Sequence, residues 1–67
     1  MSPARARAAA EEAARIKAAP TKTLTTLAST LEALIADTRI SAAARDDYAA
    51  DLVAVEDELS RRALEGA

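Results

Sequence analysis

The sequence predicts an all-α protein: an antiparallel helical hairpin over about residues 22–37 and 41–65, preceded by an alanine- and arginine-rich helical arm. Large apolar residues recur at intervals of three and four between Leu24 and Leu59, which places them on one side of a helix. No useful stretch alternates with the period of two that is typical of a strand. We therefore divide the chain into an arm, residues 1–20, and a hairpin association module, residues 21–67.

The composition excludes several classes of function. The chain has no cysteine, no histidine and one aromatic residue, Tyr48, so it lacks disulfides, the commonest zinc ligands and the usual general base. We expect no enzyme activity, cofactor, metal site or small-molecule substrate. The sequence has no apolar run long enough to predict a transmembrane helix, and it lacks the apolar core of a secretory signal. We therefore expect no membrane contact and a cytoplasmic location, or a place within a virion if the protein is phage-encoded.

The sequence of the arm predicts an alanine-rich helix over residues 2–19. Ser2 is a suitable N-cap, Pro3 suits the first helical position, and Pro20 disfavours helical backbone before it. The arm carries four basic and two acidic side chains, a net charge of +2, whereas the rest of the chain carries five basic and nine acidic ones, a net charge of −4. We interpret the arm either as a solvated helix or as a contact for an anionic partner such as nucleic acid. Its candidate contact residues are Arg5, Arg7, Arg15 and Lys17.

Each helix of the predicted hairpin carries one apolar stripe. The spacings are 3-4-3 in the first helix and 4-3-4 in the second, so we expect the stripes to face each other. The link is the turn-like segment at residues 38–41, in which Ser41 is a suitable N-cap for the last helix. The predicted association seam consists of Leu24, Leu27, Leu31, Leu34, Tyr48, Leu52, Val55 and Leu59.

The start of the first hairpin helix is ambiguous. We expect a polar hinge at residues 21–23, with Thr23 capping a helix that begins at Leu24. Ser29 followed by Glu32 also matches a capping box, which starts the helix later. The β-branched threonines here are poor helix formers, and the later start leaves the preceding residues free to form a strand.

A strand at residues 22–27 followed by two helices resembles the order of the ribbon-helix-helix repressors, whose paired strands enter the major groove of DNA. The resemblance covers residues 22 to about 60 and includes Ser41 at the start of the last helix, but the usual turn glycine is missing. It implies a small dimeric, antitoxin-like regulator that binds DNA through this strand, while the basic arm offers a second route to DNA. The acidic balance of the hairpin opposes phosphate binding, so DNA binding is the alternative function.

A second set of apolar residues lies off the seam. A two-helix hairpin cannot bury both sides of each helix, so these residues are either scattered surface positions or a contact with another copy or partner. Because a lone hairpin has a small core, we favour contact and expect an oligomeric helical bundle. The residues of this second contact are Ile35, Ile40, Val53 and Leu64.

The acidic residues of the last helix predict a solvated face. They lack the alternating oxygen ligands and glycine bend of a calcium loop. Arg61 and Arg62 are placed near the C-terminal end, where the helix dipole favours cations. The acidic set is Asp46, Asp47, Asp51, Glu56, Asp57 and Glu58.

The sequence therefore predicts a small non-enzymatic protein–protein interaction or oligomerisation module that binds itself, another protein, or both. Short alanine- and arginine-rich chains are typical of GC-rich bacterial and phage genomes, where such proteins often serve as assembly factors or virion components. On the basis of composition alone, we expect an assembly factor or structural component of a bacterial or phage complex.

Overall fold

A computed structural model describes residues 2–66 and contains three α-helices: α1 (Pro3–Ala18), α2 (Thr21–Ala36) and α3 (Ala42–Gly66). These residues include no strand, so the all-α prediction is confirmed. The strand that the ribbon-helix-helix order requires at residues 22–27 is absent, because these residues lie in the first half of α2. That alternative prediction is therefore wrong. Over the same described residues, no helix is both long and apolar enough to cross a membrane.

The ends of α1 follow the predicted signals. The Oγ of Ser2 accepts a hydrogen bond from the backbone N–H of Arg5 at 3.2 Å, which satisfies a free donor of the first turn. Pro3 occupies the first helical position. Ala19 and Pro20 are extended, with ψ angles of 144° and 148°, and connect α1 directly to α2.

Helix α2 begins at Thr21, so the predicted hinge and both predicted N-caps, Thr23 and Ser29, are wrong. Pro20 occupies the N-cap position without a side-chain hydrogen bond. Two threonines of α2 use their hydroxyl groups within the helix: Thr25 Oγ1 donates to the carbonyl of Thr21 at 3.0 Å, and Thr30 Oγ1 to that of Thr26 at 3.1 Å.

The link between α2 and α3 is organised by Asp37. Its carboxylate accepts two guanidinium N–H groups of Arg39, at 3.0 and 2.8 Å, and the backbone N–H of the same residue at 2.9 Å. The Arg39 side chain, followed by its backbone N–H, lowers the pKa of Asp37. Helix α3 then begins with the predicted cap, since Ser41 Oγ accepts the N–H of Ala44 at 3.2 Å.

The core lies between α2 and α3, which share the most extensive helix contact, whereas α1 meets α3 more sparsely. The buried apolar side chains of the described residues are Ile16, Leu24, Leu31 and Val55. The Cα atoms span 38 × 31 × 15 Å, and the third dimension is that of about two helices packed side by side, since helix axes lie about 8–10 Å apart and Cα atoms lie about 2.3 Å from each axis. With so few buried side chains, the fold leaves most side chains of the described residues at its surface.

Candidate interaction surface

The predicted seam residues divide between the interior and the surface of the α2–α3 pair. Three are buried, four are half-buried, and one is exposed over 36% of its surface. In that order they are Leu24, Leu31 and Val55; Leu34, Tyr48, Leu52 and Leu59; and Leu27. Most of the seam is thus occupied by the chain's own packing, and Leu27 is the seam residue offered to solvent.

Leu27 lies in an open groove along one side of α2, and we call this surface the α2 groove. It is lined by Lys22, Thr23, Thr26, Leu27 and Thr30, mostly through apolar atoms. The hydroxyl of Thr30 donates to the carbonyl of Thr26 at 3.1 Å, so its hydrogen is used inside the helix. An apolar strip with one cation suits a protein side chain better than a phosphate backbone.

The residues of the predicted second contact are distributed over α2, the link and α3. Ile35 and Ile40 are half-buried at the end of α2 and in the link. Val53 and Leu64 are 59% and 80% exposed on α3, but eleven residues of helix, about 16 Å, separate them. Val53 and Leu64 are therefore two separate exposed positions on α3.

The four cations predicted as an anionic-partner contact are all exposed on α1. Residues two apart on an α-helix point in directions about 160° apart, so Arg5 and Arg7 face nearly opposite sides, as do Arg15 and Lys17. Arg15 also pairs with Glu12 at 3.0 Å. Each side of α1 therefore carries no more than two of these cations, fewer than the row of basic residues that tracks a nucleic acid backbone.

A larger open groove, of about 620 Å³, separates α1 from α3; we call it the α1–α3 groove. Alanines at positions 10, 13 and 14 form much of its α1 wall, and Ala54 belongs to its α3 wall. Lys17 and Asp57 lie on the two walls, and no ion pair joins them in the described part of the chain. The groove is thus lined largely by small side chains, with Lys17 on the α1 side and Asp57, Glu58 and Arg61 on the α3 side.

Glu58 contradicts the prediction that the acidic side chains of α3 are all solvated, because it is only 7% exposed. Its carboxylate accepts a hydrogen bond from Nε of Arg61 at 3.2 Å and another from Nε of Arg62 at 2.7 Å. The guanidinium groups of Arg61 and Arg62, in that order, lower the pKa of Glu58 to about 2. The carboxylate is therefore charged and fully partnered at neutral pH.

Arg62 extends this network to the junction of α1 and α2. Its Nη2 atom donates to the carbonyl oxygens of Ile16 at 3.3 Å and Lys17 at 2.9 Å, and its Nη1 atom donates to Thr21 Oγ1 at 3.0 Å. Carbonyls in the last turn of a helix have no helical N–H partner, and a cation there is favoured by the helix dipole. We call Glu58, Arg62 and these three acceptors the Arg62 clamp, and it fixes the direction in which α1 leaves the core.

The sequence interpretation missed the Arg62 clamp, since it assigned Arg62 to the end of its own helix. The available signal was Glu58 four residues before Arg62, which is the spacing of an ion pair on a helix. The contacts with α1 lie 45 and 46 residues away and leave no local pattern.

The α2 groove and the α1–α3 groove are the two candidate interaction surfaces. Within residues 2–66, no group of three or more acidic, histidine or cysteine side chains is placed to hold a metal ion. Comparison with models of protein families, with curated proteins and with solved structures finds no match to this chain.

Proposed function

We propose that this chain is a small non-enzymatic protein–protein interaction module that associates with itself. In this proposal the α2–α3 pair is an antiparallel helical hairpin, which is supported by the contact between Thr21 at the start of α2 and Arg62 near the end of α3. Association of two or more hairpins completes a helical bundle. From the alanine- and arginine-rich composition we extend the proposal to an assembly component of a bacterial or phage complex.

The observation that carries this proposal is the small size of the buried core. Four apolar side chains of the described residues are buried, and the seam leucine Leu27 stays exposed beside an apolar strip. Full burial of a leucine side chain stabilises by about 1.5–3 kcal/mol. Leu27 is 36% exposed, so a second copy that covers it contributes roughly a third of this amount. Self-association through the α2 groove is therefore the function that the geometry supports best.

The test is the solution mass of the purified chain over a wide concentration range, with helicity recorded by circular dichroism on the same samples. We expect a discrete oligomer that dissociates on dilution. Leu27→Asp should shift the mass toward the monomer, because it places a charge on the α2 groove.

Val53→Asp is the matched control, since it puts the same charge on an exposed valine of α3 outside the α2 groove. It should leave the mass unchanged. If Leu27→Asp reduces helicity as well as mass, Leu27→Ser repeats the test without the charge. An unchanged oligomer in both Leu27 variants would contradict the role of the α2 groove as the contact between copies. A native chain that is monomeric at every concentration would contradict self-association.

A further inference from the structure

One side of α1 carries an exposed stripe of alanines with a cation at each end. The residues are Arg7, Ala10, Ala14 and Lys17, spaced 3-4-3, and all four are exposed. This spacing places them on one side of the helix. No ion pair engages either cation within residues 2–66. We call this surface the basic stripe.

One side of α3 carries the same arrangement with the opposite charges. The residues are Asp47, Ala50, Ala54 and Asp57, also spaced 3-4-3 and all exposed. Neither aspartate takes part in an ion pair in the described chain. We call this surface the acidic stripe, and its neighbour Glu58 is excluded because the Arg62 clamp already uses it.

The two stripes are equal in length and in side-chain size between their ends, and they are opposite in charge. Ten residues separate the charged positions in each stripe, which is about 15 Å along either helix. If the stripes lie side by side, each cation meets an aspartate whether the helices run parallel or antiparallel. The alanines between them allow the helix axes to approach at the short end of the usual 8–10 Å range.

Within one chain no ion pair joins the two stripes over residues 2–66. Both contribute to the α1–α3 groove, where Ala14 and Lys17 lie on one wall and Ala54 and Asp57 on the other. The Arg62 clamp and the buried side chain of Ile16 hold the last turn of α1, so the helix leaves the core at a fixed angle. Each stripe is therefore available to a second molecule.

We propose that the basic stripe of α1 docks along the acidic stripe of α3 in a second copy of this chain. In a two-fold dimer the contact is reciprocal, so the basic stripe of each copy meets the acidic stripe of the other and the same contact occurs twice. Because the pairs are exposed ion pairs, the association weakens as salt concentration rises. This inference rests on the proposed self-association, to which it adds a second, electrostatic contact apart from the α2 groove.

The test uses two charge-reversed full-length variants. The first, Arg7→Glu with Lys17→Glu, carries acids on both stripes; the second, Asp47→Lys with Asp57→Lys, carries cations on both. Each variant alone should dissociate at least about tenfold more readily than the native chain at low salt, because its stripes repel. An equimolar mixture should restore the native mass as a mixed oligomer, since both junctions between unlike copies are attractive.

The matched control is Arg5→Glu with Arg15→Glu. It makes the same charge change on the same helix, with the same separation of ten residues, but on the side away from the basic stripe. We expect it to associate as the native chain does. Circular dichroism of every variant establishes that the helices are retained.

Several results would overturn the inference, and they separate it from the proposed function. If both reversed variants associate like the native chain, self-association stands and the stripes play no part in it. If both remain monomeric when mixed, or the control fails equally, the stripes are not complementary. If the native chain is monomeric at all salt concentrations, both proposals fail. If the basic stripe instead binds a short DNA duplex and the mass never depends on Asp47 or Asp57, its partner is nucleic acid.

Discussion

The guanidinium group of Arg62 donates a hydrogen bond to the carbonyl oxygen of Lys17 at 2.9 Å, across 45 residues of sequence. This contact ties the end of α3 to the end of α1, where the free carbonyls need a donor. Glu58 holds the other side of Arg62 in place at 2.7 Å. The direction of the arm therefore depends on one side chain near the opposite end of the chain.

Arg62→Ala should release the last turn of α1 from the core. Removing a charged donor from three acceptors and from Glu58 is expected to cost about 1–3 kcal/mol of unfolding free energy. Hydrogen exchange should show faster exchange of the amides at residues 14–19. Arg61→Ala is the control, because it removes a neighbouring partner of Glu58 and keeps the contacts with α1. Equal exchange in the two variants would contradict the role of the Arg62 clamp.

The stability of the protein should fall in acid as Glu58 is protonated. Its folded-state pKa, about 2, lies below its ordinary value of 4.5, so the unfolded chain binds the proton more readily. The stabilisation is present above pH 4.5 and is lost as the pH falls toward 2. Asp37, whose pKa is also lowered, adds to the loss in the same direction.

Urea unfolding of the native chain, Glu58→Gln and Glu65→Gln at a series of pH values checks this assignment. The midpoint of the native chain should fall between pH 4.5 and 2, and the fall should be smaller in Glu58→Gln. Glu65 is exposed, so Glu65→Gln should behave more like the native chain. If the urea midpoint of Glu58→Gln falls as much as that of the native chain, other groups account for the acid sensitivity.

Leu24→Ala should remove much of the stability of the fold. Leu24 is 1% exposed at the centre of the core, and truncation of a buried leucine costs about 2–5 kcal/mol. With so few buried side chains, we expect this variant to lose helicity in thermal scans by circular dichroism. Leu64→Ala is the control, since Leu64 is 80% exposed and should change stability by less than about 0.5 kcal/mol. Similar losses in the two variants would contradict this placement of the core.

Ser41→Ala should lower stability by about 1 kcal/mol, because it removes the acceptor for the N–H of Ala44 in the first turn of α3. Ser60→Ala makes the same change at an exposed position inside α3 and should have little effect. Denaturant midpoints compare the two variants. A larger loss in Ser60→Ala would argue against Ser41 as the cap.

Much of the secondary structure follows from local patterns in the sequence. The 3-4 spacing of apolar residues predicted two of the helices, and Ser2, Pro3, Pro20 and Ser41 marked several of their ends correctly. The start of α2 was missed because Pro20 can occupy an N-cap position and because Thr25 and Thr30 bond within their own helix. These signals act over one or two helical turns, which is why they can be read from sequence.

The candidate surfaces depend on how the helices cross, and local spacing does not specify this. The heptad pattern placed Leu24 and Leu27 on the same stripe, but packing against α3 buries the first and leaves the second at the edge. The direction of α1 depends on contacts of Arg62 with residues some 45 positions away. Local periodicity and capping therefore determined the helices, whereas tertiary packing decided which of their faces remain open to a partner.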